Sequence, residues 1–344
     1  MSFDPTNDRK LEHIRILEND RETERAMGHF DRMRLIHRAL PEIALDEVDP
    51  STTFLGKKLS FPLLISSMTG GDHELVRRVN RNLAEAAEEC GVAMGVGSQR
   101  VMFTHPEARA SFALREHAPT ALLFANLGAV QLNLGFGVDQ CREAVDVLGA
   151  DALYLHLNPL QEAVQPEGDT DFRGLSDRIA AIVKALPVPV VLKEVGAGMS
   201  PADVALAHAA GVRHIDVAGA GGTSWSRIES HRHASPAART LGMLFQDWGL
   251  PTPDALRLLK PWRDRVDLIA SGGIRSGVDM AKAVILGARL CGMAAPFLRP
   301  AMDSSDAVVA LIRKIEREFR TAMFLLGVAH LDNLHGNESL ELKP

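Results

Sequence analysis

Cysteine is scarce in this chain, and long apolar runs are missing from it. The three cysteines, Cys90, Cys141 and Cys291, lie far apart, outside any CxxC pair, each in or beside an apolar stretch. They read as reduced core residues, which excludes a disulfide framework and a cysteine-based metal centre. No run of about 18 apolar residues is present to span a bilayer, and the opening MSFDPTNDRK lacks the apolar segment of a secretory signal. A cytoplasmic protein with no membrane partner is the expectation. The formal net charge of −6 disfavours nucleic acid as a partner, so an anion site must be built from a few placed cations and backbone donors. HExxH and GxSxG are absent as well, which removes a zinc protease and a nucleophile-elbow hydrolase. No strand-like run is followed by GxGxxG with an acidic residue further on, which argues against a doubly wound dinucleotide fold.

What is present is a rhythm. The 344 residues are 46% hydrophobic, enough for a large buried core. After residue 60, eight short apolar runs recur, each followed by a glycine-rich or polar turn and then a helical pattern: Leu63–Ser67, Val92–Val96, Ala121–Ala125, Ala152–His156, Pro189–Glu194, His214–Ala218, Val266–Ala270 and Arg289–Met293. Their hydrophobicity is continuous, as expected of strands covered on both faces. Eight such units over about 250 residues predict an α/β protein with a closed (β/α)₈ TIM barrel. Asp72–Cys90 reads as a helix capped by Asp72 and ended by Gly91. A second helix starts at Ser276, with Val278, Ala281, Val284 and Ile285 on one side, and a long last one covers about Ser305–Leu326. Residues 1–55 are charged and helical in pattern, and form an N-terminal helical arm before the barrel of residues 56–344. Charge composition alone reads that arm as a solvated helix across the barrel's bottom.

In this fold the turns at the strands' C-terminal ends build the active site. Here they read MTGG, GSQR, NLGA, HLN, KEVGAG, GAGGTSW, SGGIRSG and GMAAP. Glycine lets backbone N–H groups approach a ligand, and the turns after strands seven and eight commonly make a phosphate site. Gly272, Gly273, Ile274 and Arg275 supply donors and a cation there, with Ala294 and Ala295 opposite. Lys193 ends an apolar strand, so its ammonium needs an anionic partner such as an electron-rich cofactor ring. Gln161 and Glu162 follow HLN, and the acidic turn of Glu167, Asp169 and Asp171 comes next. A single carboxylate such as Glu162 can hold Mg²⁺ when phosphate oxygens and water complete the octahedron. Of the 13 histidines, His13 and His156 fall where a pocket is expected. Trp225 either walls that pocket or packs beneath it.

In order and placement these turns resemble those of type II isopentenyl diphosphate isomerases. The likeness runs from RKLEHI (with Arg9, Lys10 and His13) and LIHRALPEI through SSMTGG, GSQR, NLGA, HLN, VLKEVGAGMS and AGAGGTSWSRIE to ASGGIRSG and GMAAP. It implies an enzyme that interconverts isopentenyl and dimethylallyl diphosphate in isoprenoid biosynthesis. Reduced FMN would serve as acid–base catalyst, with Mg²⁺ present and NADPH reducing the flavin. By the same likeness Arg9 and Lys10 bind the diphosphate, which folds the arm over the barrel mouth. Ser67, Met68, Thr69, Ser98, Asn126, Lys193 and Thr223 correspond to flavin contacts, and Gly272–Arg275 with Ala294 and Ala295 to its phosphate site. Ser98, Gln99, Arg100, His156, Asn158 and Gln161 fall where substrate is handled, with His156 and Gln161 the catalytic candidates beside the flavin itself. Glu162 is placed as the Mg²⁺ ligand. The family's habit implies a homo-oligomer, a tetramer or larger.

An FMN-dependent 2-hydroxy-acid oxidase or dehydrogenase is the alternative on the same barrel. Such enzymes place a histidine base after strand six, where this chain has Val217–Thr223 without one.

Overall fold

A computed structural model describes residues 12–342 apart from 14, 18, 26–28, 69 and 72. Thr52–Phe54 (β1) and Lys57–Leu59 (β2) form an antiparallel hairpin, and eight parallel strands then close into a barrel in sequential order. These are Leu63–Ile65 (β3), Ala93–Gly95 (β4), Leu123–Gly128 (β5), Ala152–Leu157 (β6), Val190–Glu194 (β7), His214–Asp216 (β8), Asp267–Ser271 (β9) and Ala288–Met293 (β10). β10 pairs with both β9 and β3, so no edge remains.

All eight expected strands are present, with shifted ends. β5 runs to Gly128, so Asn126, expected in a turn, lies within the strand. β8 stops at Asp216, and Ala218 just beyond it has a positive φ of 36°. That backbone leaves the extended region, ending the strand sooner than its hydrophobicity implies.

The hairpin turns through Leu55 and Gly56, both at positive φ, the geometry that suits a two-residue turn to twisted strands. It crosses the boundary drawn at residue 55. Phe54 and Leu59 pack into the barrel interior with Leu64, Phe124, Tyr154, Val191, Ile269 and Leu290. The N-terminal mouth is thereby plugged with apolar side chains, and the polar strand ends gather at the other mouth.

The Glu74–Cys90 helix is capped by His73, whose Nδ1 accepts from Leu75 N, and Gly91 at φ 63° closes it. Asp72, expected as the cap, lies outside the described residues. Ser276 accepts from Asp279 N and starts the Gly277–Ile285 helix. Val278, expected on its packed side, is instead 42% exposed. Ser304 caps the long Ser305–Leu325 helix, which buries Val308, Ile312, Ile315, Phe319 and Met323.

The described part of the arm does not keep to the bottom. Residues 20–25 lie against the loop after β8: Ser224 N donates to Thr23 O at 2.7 Å and Arg25 N to Gly222 O at 3.1 Å. Phe30 and Met33 then enter the core. Ile36 and Arg38 hydrogen-bond to Leu340 and Leu325 on the way to the hairpin.

Candidate functional site

A cavity of 860 Å³ opens at the C-terminal ends of the barrel strands, in the range of small-molecule and cofactor sites. Lys193 rises from its floor. β7 and β8 pair Lys193 with Asp216 in register, which brings Lys193 Nζ to 3.2 Å from Asp216 Oδ2. Lys193 Nζ also donates to Ser271 Oγ at 3.1 Å, and that hydroxyl donates to Asp216 Oδ1 at 2.6 Å. Tyr154 OH donates to Asp216 Oδ2 at 3.3 Å and Ala218 N to Oδ1 at 3.2 Å. All four side chains are buried. Burial first, and the Asp216 charge second, raise the Tyr154 phenol well above its usual range, so it stays a donor. The anionic partner that the sequence assigned to a cofactor ring is thus partly supplied by the protein.

At one end of the cavity the loops after β9 and β10 meet. Gly272 and Gly273 have φ of 92° and 77°, and a Cβ on Gly272 would stand 2.0 Å from Gly219 O. These glycines let the loops after β8 and β9 touch backbone to backbone. Ala294 precedes the Ala295–Asp303 helix without a side-chain cap, which leaves N–H groups of its first turn for a ligand. Ile274, Arg275, Ala294 and Ala295 all line the cavity. Arg275 Nη2 holds Asp31 at 3.0 Å, and its backbone N donates to Asp279 Oδ2 at 3.1 Å.

Ser67, Met68 and Ser98 line the wall on the β3 and β4 side; Thr69 lies outside the described residues. The buried Oγ atoms of Ser66 and Ser67 have no hydrogen-bond partner among the described residues. Buried hydroxyls normally find one, so this wall is shaped for a polar ligand.

Across the cavity, Asn126 Nδ2 donates to Val96 O and its Oδ1 accepts from His156 Nδ1 at 2.8 Å. Gln99 does not join the lining. Fully buried, it accepts from Asn126 N at 2.9 Å and donates to Ala144 O at 2.9 Å. Gln99, expected among the substrate residues, thus lies behind the wall, held between the Asn126 backbone of β5 and the Ala144 carbonyl of the Val138–Leu148 helix.

The HLN turn starts the short Pro159–Val164 helix, which points Gln161 and Glu162 inward. Glu162 Oε1 accepts from Asn158 Nδ2 at 2.8 Å; Oε2 accepts from Asp169 N at 2.7 Å and from Gln165 Nε2. Arg100 Nη1 stands 3.6 Å from Asp169 Oδ2, beside this carboxylate. Gln161 Nε2 donates to Glu229 Oε1, an oxygen that also faces His13 Nε2 at 3.2 Å, while Arg232 Nη1 holds Oε2 at 2.7 Å. Burial works to raise the Glu229 pKa, but hydrogen bonds from His13, Arg232 and Gln161 outweigh it and hold it at about 2. Trp225 packs edge-on to His13 and lines the cavity, so it walls the pocket.

Glu24 accepts from Thr223 Oγ1, and Arg25 donates to Gly196 O at 3.1 Å and Gln246 O at 2.9 Å. With His13 and Leu17 these residues put the arm on the cavity wall. Arg9 and Lys10 lie outside the described residues. Sequence reasoning missed Asp216, Ser271, Glu229, Glu24 and Arg25. The acid inside the apolar run HIDVAG was the one local signal available for Asp216.

The sequence pattern described as FMN-dependent dehydrogenase matches residues 9–120 and 138–341. An isopentenyl-diphosphate delta-isomerase of Paracoccus zeaxanthinifaciens is 62% identical over 336 residues, covering 96% of both chains. One of Hydrogenovibrio crunogenus is 54% identical over 340 residues, covering 99% of both. Among solved structures, a flavocytochrome b2 mutant with pyruvate bound aligns at TM-score 0.66 and 20% identity, covering 92% of this chain and 77% of that one. A mandelate oxidase mutant with a monooxide FMN adduct aligns at 0.63 and 19%, covering 90% and 88%. At such identities the structural likeness is one of fold.

Proposed function

Because the chain belongs to the FMN-dependent dehydrogenase family and is similar over nearly its whole length to isopentenyl-diphosphate delta-isomerases, we infer that it interconverts isopentenyl and dimethylallyl diphosphate with FMN. The observation that carries this is the 62% identity over 96% of both chains. Anaerobic assay of the flavin-reduced protein with isopentenyl diphosphate tests it, and failure to form dimethylallyl diphosphate overturns it. The oxidase alternative shares the barrel, but Val217–Thr223 after the sixth barrel strand brings no histidine base.

The residues present fit FMN. The loop of Gly272–Arg275 and the uncapped helix start at Ala294 and Ala295 offer backbone donors and a cation to its phosphate. Ser67, Met68, Ser98, Asn126, Lys193 and Thr223 surround the room left for its ring, and Thr69, outside the described residues, joins them by the sequence likeness alone. The unpartnered hydroxyls of Ser66 and Ser67 support a polar ligand there. Reduced FMN, when bound, supplies the acid–base group that an allylic proton shift needs, with NADPH as the reductant.

The chain's own part is grip and placement. Glu162 is the Mg²⁺ ligand in this reading: among the described residues no cluster of three acidic, histidine or cysteine ligands exists, and Mg²⁺ accepts one carboxylate when a diphosphate completes its shell. Arg100, beside Asp169, with Arg9 and Lys10 from the arm, balances the remaining diphosphate charge. His156, aligned by Asn126, and Gln161 and Asn158, aligned by Glu229 and Glu162, face the hydrocarbon end. Holding the diphosphate orients a centre with few polar handles of its own. A cytoplasmic homo-oligomer completes the reading. Leu244 and Trp248, 75% and 62% exposed, support the assembly.

A further inference from the structure

We propose that Asp216 is a positioning residue that sets the charge and the aim of Lys193 beneath the flavin ring; this rests on the reading that Lys193 faces FMN. No sequence motif above assigned Asp216 any part. Yet it is the group to which the cavity floor is tied. Its two oxygens take the Lys193 ammonium at 3.2 Å, the Ser271 hydroxyl at 2.6 Å, the Tyr154 hydroxyl at 3.3 Å and the Ala218 N–H at 3.2 Å.

Two of the three ammonium donors of Lys193 are thereby directed sideways, to Asp216 and Ser271. The third is left for the cavity that Lys193 lines. The lysine is therefore aimed by Asp216 and largely neutralised by it. In this dry floor of Tyr154, Val191 and Ile269 a charge acts over the few ångströms to a ligand with little screening. Two-electron reduction of FMN with uptake of one proton adds one negative charge to the ring. A bare lysine would favour that change strongly; a lysine paired with Asp216 favours it less. Tyr154 OH, drawing charge from the same carboxylate, acts as a trim in the opposite sense.

The test is the FMN midpoint potential of the holoenzyme at pH 8, where the reduced ring takes up one proton and carries the negative charge, by dithionite titration against a reference dye. Asp216→Asn keeps the side-chain shape and removes the charge; it should favour the reduced flavin at least tenfold, about 30 mV in the positive direction for a two-electron couple. Tyr154→Phe, which removes the only tyrosine of the chain, should move the potential a smaller distance in the negative direction, and it carries the test if Asp216→Asn fails to fold or to retain FMN. Lys193→Met separates the two readings. If it leaves the potential unchanged, Lys193 does not face the ring and the placement of FMN is wrong. If it lowers the potential while Asp216→Asn and Tyr154→Phe only lower Tm, the placement stands and Asp216 is merely structural.

Discussion

Gln161 Nε2 donates to Glu229 Oε1 at 2.7 Å, tying the helix after β6 to the helix after β8 across the cavity wall. Glu229 is fully buried and also serves His13 and Arg232. One carboxylate thus ties a residue of the cavity wall to the arm beside it, and a group paired on three sides should reveal itself on titration.

Its folded pKa of about 2 lies below the usual 4.5. A depressed carboxyl stabilises the fold fully above the unfolded value, and that contribution is lost as pH falls from about 4.5 through 2. The shift corresponds to about 3 kcal/mol. In urea unfolding, the stability difference between the native protein and Glu229→Gln should therefore be at its full size at about pH 5, where His13 can still carry charge, and shrink as pH falls below 4.5. A difference that stays flat down to pH 3 would show that the three partners do not stabilise its ionised form.

Glu162→Gln replaces a carboxylate by an amide of the same shape. If Glu162 holds Mg²⁺ as proposed, the substitution should cut activity by about two orders of magnitude. FMN absorbance in the purified protein should not change. Full activity with the native Mg²⁺ titration would remove Glu162 from the metal site.

Arg9→Ala tests the arm. If Arg9 grips the diphosphate equally in ground and transition states, KM should rise about tenfold with kcat held, and removal of residues 1–15 should do at least as much. Steady-state kinetics unaffected by that truncation would return the arm to a structural role.

Gly272→Ala places a Cβ 2.0 Å from Gly219 O at a φ of 92°. Backbone cannot yield as a side chain does, so a loss of more than about 2 kcal/mol is expected, together with weakened FMN retention. Gly56→Ala at the plugged end is the control: φ is 77° but nothing lies within 4 Å, so about 1 kcal/mol should be lost with FMN still bound. Equal effects of the two on FMN retention would refute a special place for the Gly272 turn.

The barrel was legible because its signals are local. Continuous apolar runs mark strands covered on both faces, and the glycine-rich turns after them mark the ligand-facing mouth whatever the rest of the chain does. Run length and turn chemistry do not depend on partners distant in sequence, so all eight strands and the loops at Gly272 and Ala294 are found where expected. The ends of β5 and β8 shifted because pairing and the positive φ of Ala218, not hydrophobicity, decide where a ladder stops. Tertiary structure alone decided the partners. Lys193 and Asp216 meet because adjacent strands share a register, and Gln161 meets Glu229 because two strand-following helices lean together. Gln99 turns behind the wall because the Asn126 backbone offers it a hydrogen bond there. Charge composition sent the arm to the barrel's bottom, whereas its hydrogen bonds to Gly222 and Ser224 lay residues 20–25 on the mouth. A charged helix carries no record of which polar surface it will meet; only the closed barrel offers unpaired strand-end groups at one end and an apolar plug at the other.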